Sequence, residues 1–206
     1  MPPPARLSKR PGHASELMPA VARCVDGAGI AWGDLDAICV GVGPGPFTGL
    51  RIGVATARAL ASAHDAELRP VSSLAALAAG GAADSASNGD GSSRPTLAVI
   101  DARRGEVFTA LYADGTLAWE PFVAAPEDVA DRIGQAGMSP LATGDGAVRF
   151  RDVLEAAGAD VPPGDSRAHV VRGVSICRLA ATAAPAPVEA VLPNYLRLPD
   201  AKPRTT

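Results

Sequence analysis

Between His13 and Ala28 apolar residues recur at three- and four-residue steps, at Leu17, Val21, Cys24, Val25 and Ala28, which predicts a helix with one apolar face. Gly27 and Gly29 end it. The run Asp36-Ala-Ile-Cys-Val-Gly-Val-Gly43 is short, apolar and set between a polar turn and a Gly-Pro cluster, as a buried parallel strand would be. Pro44-Gly-Pro46 breaks that strand, Phe47 to Ala63 supplies helix formers and small residues, and Leu68 to Ser72 reads as a second strand. Helix, strand, helix, strand is an α/β order.

From Ala82 to Arg94 the chain is rich in Ser, Gly, Asp and Asn with no periodic apolar residue, which predicts a solvated linker over 82–95 between a first domain, 1–81, and a second, 96–206. In the second, Leu97 to Ile100, Val107 to Tyr112 and Leu117 to Trp119 are separated by polar turns and predict a three-stranded antiparallel meander. Pro126 followed by Glu127 and Asp128 marks a helix start, because proline loses no bond at the first helical position and acids suit the positive end. A strand at Leu141 to Thr143, helices near Ala147 to Ala157 and Val170 to Ala184, and an extended tail from Leu192 to Leu198 complete the pattern.

Composition narrows the classes. Of 206 residues, 47% are hydrophobic and 20% charged, which suits a globular chain of one medium or two small domains. No apolar run approaches the roughly 20 residues that span a bilayer, and the basic N-terminus has no apolar stretch behind it, so a cytoplasmic address is the default. A net charge of −3 offers no surplus of cations to neutralise phosphates, so any RNA must be gripped mostly by a partner. Cys24, Cys39 and Cys177 lack both disulfide-framework and zinc spacing and read as reduced, buried small residues.

The run Gly43-Pro-Gly-Pro-Phe-Thr-Gly-Leu-Arg-Ile-Gly53 invites a phosphate-binding reading, since glycines let backbone N–H groups meet an anion. Its spacing fits neither a P-loop, which needs Lys and Ser/Thr after the last glycine, nor the dinucleotide motif. A turn at Pro44-Gly45-Pro46 with Thr48 capping the following helix accounts for the same residues. Within that helix Gly49, Gly53, Ala57 and Ala61 fall at four-residue steps and leave one face nearly bare, a stripe suited to intrachain packing or to a subunit seam.

This run resembles the signature of the TsaB (YeaZ) family, non-catalytic paralogues of the TsaD enzyme within the actin-like ATPase (ASKHA) superfamily. His13-Ala-Ser-Glu-Leu17 with Pro19, Asp101-Ala-Arg-Arg-Gly-Glu-Val107 and Pro193-Asn-Tyr-Leu-Arg197 resemble three further family stretches, in the same order along the chain. The resemblance implies a two-domain actin-like fold and a scaffold role in making threonylcarbamoyladenosine on tRNA. TsaD would carry out the transfer, a TsaE-like ATPase would join, the same surface would also pair with itself, and tRNA would be met only through the complex. No cofactor, metal or catalytic residue is implied for this chain. The implied partner surface is the first helix, with His13, Glu16, Leu17 and Val21, and the bare-faced helix, with Phe47, Thr48, Gly49, Leu50, Arg51, Gly53 and Ala57.

The absence of a His-x-x-x-His pair supports a helper role, because His13, His64 and His169 are scattered. Asp101 and the arginines beside it would shape a turn, with a sharper alternative in which Arg103 and Glu106 make polar contacts across a domain or subunit boundary. Pro46 stands where the family commonly has serine. The family's first β-hairpin has no counterpart before His13, so we expect either coding sequence upstream of Met1 or a truncated, poorly stable product with two short strands uncovered. An alternative of a different class is an actin-like ATPase or phosphotransferase with its own nucleotide site. A peptidase would need a Ser-His-Asp set or paired metal histidines that these positions do not suggest.

Overall fold

A computed structural model of the chain describes residues 13–87 and 94–197. The first periodic segment is helical, α1 (His13–Ala28), with Pro19 in its interior. Its apolar stripe is only partly covered: Val25 is buried, Leu17 and Val21 are half-buried, and Cys24 and Ala28 are exposed. The predicted strand, helix and strand follow as β1 (Ala37–Gly43), α2 (Phe47–His64) and β2 (Glu67–Ser72), a parallel pair joined by a helical crossover. Thr48 does not cap α2. It is the second residue of the helix, and Pro46 occupies the cap position with its φ held at −58° by the ring rather than by a side-chain bond. Asp65, at φ 52°, ends the helix and sends its amide to the Ala61 carbonyl.

The expected linker begins later than its composition indicates. Residues 73–87 form a further helix, α3 (Ser73–Ser87), whose first nine residues are mostly buried. Leu74, Ala76, Leu77, Ala78, Gly80 and Gly81 leave no polar side, and a helix apolar all round must be enclosed. The last turns hold because Arg172 pairs with Asp84 at 3.0 Å and donates to the Gly80 carbonyl at 2.8 Å. Linker residues 88–93 lie outside the described residues.

The meander forms as predicted, from β3 (Thr96–Arg103), β4 (Glu106–Ala113) and β5 (Thr116–Ala124). Its turns place Arg104 and Gly105, then Asp114 and Gly115, at positive φ, as two-residue hairpin turns demand. After α4 (Pro126–Ala136), the strand β6 (Leu141–Thr143) joins parallel to β3, giving the order β5-β4-β3-β6. Alternation buries both faces of this sheet. Leu97, Val99, Val107 and Leu111 meet Val129, Ile133 and Leu154, whereas Ala98, Ile100, Phe108 and Ala110 meet Leu74 and Leu77 of α3.

The helix expected near Ala147 to Ala157 is broken in two at Phe150 (φ −112°, ψ 31°), giving α5 (Asp145–Arg149) and α6 (Arg151–Ala156). The helix expected at Val170 to Ala184 is shorter, α7 (Gly173–Ala180), and follows a 3-10 turn at Arg167–His169. From α7 onward the chain returns to the first sheet. α7 packs on β1, β2 and α3, the Ala186 amide bonds the Leu68 carbonyl, and Val191 enters the core of Val40, Val54, Ala57, Ala61 and Leu68.

A Cβ added to Gly81 would overlap the Thr143 side chain, which is buried on β6 and has no room to retreat, whereas a Cβ on Gly134 of α4 meets nothing within 4 Å. Gly81→Ala should therefore lower stability by about 2 kcal/mol and Gly134→Ala should raise it by about 0.5 kcal/mol, both read from urea unfolding midpoints.

Candidate functional site

Three of the motifs, distant in sequence, meet at one cleft of about 480 Å³. The Pro44-Gly45-Pro46 turn with Phe47 forms one wall, Asp101, Ala102, Arg103 and Phe108 of the β3–β4 hairpin another, and Asn194 to Arg197 the third. The tail is fixed at each step. The Asn194 amide bonds the Val42 carbonyl at 2.7 Å, Tyr195 accepts from Arg51 Nε at 3.0 Å, and Arg197 donates to the Ala102 carbonyl at 3.0 Å. Phe47 and Tyr195 lie with ring centroids 5.1 Å apart, and the Arg51 guanidinium sits 3.9 Å over the Phe47 ring.

The glycine at the head of this turn serves packing. Gly43 has φ 113°, and a Cβ there would fall 2.8 Å from the Asn194 carbonyl oxygen. A side chain would push the tail away from β1, so this glycine is explained by a neighbouring backbone without a phosphate.

Asp101 organises the hairpin. Its side chain is 6% exposed and accepts from the Arg103 amide at 2.9 Å, from Arg103 Nη1 at 3.1 Å and from Arg149 Nη1 at 2.8 Å. Burial alone would raise its pKa, but the Arg103 amide and the Arg149 guanidinium together outweigh it and hold the carboxyl below its ordinary value. Arg103, at φ 64°, remains 75% exposed at the side chain. Glu106 is ion-paired with Arg197, which ties the hairpin to the tail within the same chain.

The helical surface residues separate into open and enclosed groups. Phe47 is 42% exposed, Thr48 and Arg51 are exposed, and Glu16, Leu17, Val21, Gly49, Leu50 and Gly53 are half-buried. The small-residue stripe divides: a Cβ at Gly49 or Gly53 would meet nothing within 4 Å, whereas Ala57 and Ala61 are buried in the core under β1 and β2. α1 packs alongside α2, with Leu17 and Val21 half-buried. The His13 side chain lies outside the described residues.

Sequence reasoning left Tyr195, Arg197 and Arg149 out of the site. The first two stand in the Pro193-Asn-Tyr-Leu-Arg197 stretch and could have been drawn in by it, but nothing in the sequence places Arg149 beside Asp101. His64 stacks on Trp32 at 5.1 Å, and His169 sits between the Gly144 amide (3.1 Å) and the Pro162 carbonyl (3.0 Å), so both have structural partners. Among the described residues no group of three or more His, Cys, Asp or Glu side chains could hold a metal ion. The cysteines depart from the expectation of burial: Cys24 and Cys177 are exposed, and Cys39 is half-buried at the edge of the cluster of Val71, Ala76 and Ala180.

Two sheets linked through helices, the larger enclosed on both faces, with a cleft between the turn after β1 and the β3–β4 hairpin, make this an α/β protein of the actin-like (ASKHA) fold. Residues 6–155 match the family model TsaD, described as tRNA N6-adenosine threonylcarbamoyltransferase. An uncharacterised protein of Mycobacterium tuberculosis is 37% identical over 93% of this chain and 78% of its own length. The tRNA threonylcarbamoyladenosine biosynthesis protein TsaB of Bacillus subtilis is 32% identical over 92% of this chain and 82% of its own. YeaZ from Pseudomonas aeruginosa superimposes with a TM-score of 0.73 at 30% identity, covering 90% of this chain and 85% of that one. The chain belongs to the TsaB (YeaZ) branch of this family.

Because the Asp101 pKa is depressed in the folded state, its contribution is complete above the unfolded value of about 3.9 and disappears as pH falls through the folded one. Asp101→Asn should cost about 2 kcal/mol at pH 7, and the gap from wild type should close as the pH of the urea titration is lowered below about 4.

Proposed function

We propose that this chain is a non-catalytic partner subunit in the synthesis of threonylcarbamoyladenosine on tRNA, docking a TsaD-like transferase that supplies the reactive groups. The reading is supported by the role for which its Bacillus subtilis relative TsaB is named and by one feature of its surface. Beside exposed Phe47, the helix α2 carries Gly49 and Gly53 with open space where side chains would stand, so another helix can approach its backbone closely. We assign Leu17 and Val21 of α1, which packs alongside α2, to the same docking face. His13, Glu16, Thr48, Leu50 and Arg51 lie along it in sequence, whereas Ala57 supports it from within.

The remaining assignments belong to the same proposal. A TsaE-like ATPase joins the assembly, a second copy of the chain competes for the docking face when the transferase is absent, and tRNA is reached only through the complex in the cytoplasm. The molecule divides into two actin-like subdomains centred on the two sheets, 1–81 and 96–206, with the end of α3 running into the joining segment 82–95 and segment 173–197 closing back on the first. Asp101, Arg103 and Glu106 keep the cleft in shape between them.

Gly53→Arg would fill the open strip without touching the core. Co-purification with a TsaD homologue should fall at least about tenfold, with the thermal midpoint of the free chain unchanged; undiminished association would refute this docking face. The competing ATPase reading predicts ATP binding by the isolated chain. Titration calorimetry should detect none, and micromolar binding would favour that reading instead.

A further inference from the structure

Cys39 on β1 and Cys177 on α7 come from opposite parts of the chain, yet the packing of α7 on β1 makes their side chains neighbours. The packing around them explains why. Cys39, Ile176 and Leu179 lie against Val71, Ala76 and Ala180, so α7 is seated directly on the first sheet. Arg69, the ladder partner of Cys39, donates to the Ala180 carbonyl at 2.9 Å and the Ala181 carbonyl at 3.3 Å, which anchors the end of α7. The Ala181 amide in turn bonds the Cys177 carbonyl at 3.0 Å, fixing Cys177 one turn back on the same side. Both thiols are free, with Cys177 exposed and Cys39 half-buried beneath it.

We propose that Cys39 and Cys177 are a peroxide-sensitive modification site, closing to an intramolecular disulfide that clips α7 to β1. Two neighbouring thiols on elements already packed together can join by side-chain rotation, and reactivity follows exposure and thiolate character. Burial, then the neighbouring Cys177, pushes the Cys39 thiol above its ordinary value, with Arg69 opposing. Cys39 is therefore a poor first nucleophile, and the exposed Cys177 reacts first.

The Cys177 thiolate attacks one oxygen of hydrogen peroxide. The O–O bond breaks, hydroxide leaves and takes the thiol's proton as water, and Cys177 becomes a sulfenic acid. Cys39 Sγ then attacks Cys177 Sγ; the S–S bond forms, the S–O bond breaks, and the departing hydroxide takes the Cys39 proton as a second water. Two thiols have been oxidised and one peroxide reduced, and a dithiol reductant reverses the change.

The test uses the purified full chain exposed to hydrogen peroxide, blocked with N-ethylmaleimide and cut by an Asp-directed protease. Asp26, Asp34 and Asp36 separate Cys24 from Cys39, so each cysteine falls on its own peptide. The alkylated thiols should fall from three per chain to one, with peptides 36–64 and 165–199 joined at a mass two hydrogens below their sum. Dithiothreitol should restore all three. Cys24→Ser should keep the link, and Cys39→Ser or Cys177→Ser should abolish it. Recovery of Cys177 as a sulfinic acid with Cys39 still alkylated, or of linkage only between chains through Cys24, would overturn the proposal.

Discussion

The approach of α3 to β6 leaves room at Gly81 for a hydrogen atom and nothing larger, and the spacing at Gly80, 3.2 Å from Arg172 and Ser175 to an added Cβ, is nearly as tight. That closeness lets one helix serve two cores. Leu74 and Leu77 complete the inner face of the four-stranded sheet, while Ala76 of the same helix packs with Val71 and Ala180 on the side of the parallel pair. Arg172 fastens the arrangement through Asp84 and the Gly80 carbonyl. Loosening α3 would expose apolar surface on both sides at once, so the two halves of the molecule are energetically tied.

This central helix is also the element least visible in the sequence. Pattern reasoning works through contrast, and Leu74-Ala-Ala-Leu-Ala-Ala-Gly-Gly81 has none, because a helix enclosed on every side has no polar face to mark its period. Where contrast exists, the elements were plain. The alternation from Leu97 to Leu111 gave the meander, Pro126-Glu-Asp gave the start of α4, and the apolar run after Asp36 gave β1. The break at Phe150 and the exposure of Cys177 depend on tertiary packing that no local window contains.

The site was legible only in pieces. Each of the three motifs could be recognised, but their meeting depends on the last described residues crossing back to the first sheet, a matter of topology. Once that crossing is known, the motif residues gain local reasons: Gly43 makes room for the Asn194 carbonyl, Arg51 bonds Tyr195, and Asp101 draws in Arg103 and Arg149. The bare stripe shows how one periodicity can answer two needs. Its second half fits the core beneath β1 and β2, and its first half stays open at the surface.

The returning segment has a further consequence for how the polypeptide is made. Val191 fills the core of the parallel pair, and Asn194 secures the turn after β1, yet both leave the ribosome more than a hundred residues after the strands they complete. Until then the nascent first sheet lacks part of its own interior, whereas the meander and α4 can mature as they emerge. A chaperone that shields Val40 and Leu68 until the tail arrives would act while only α2 covers them.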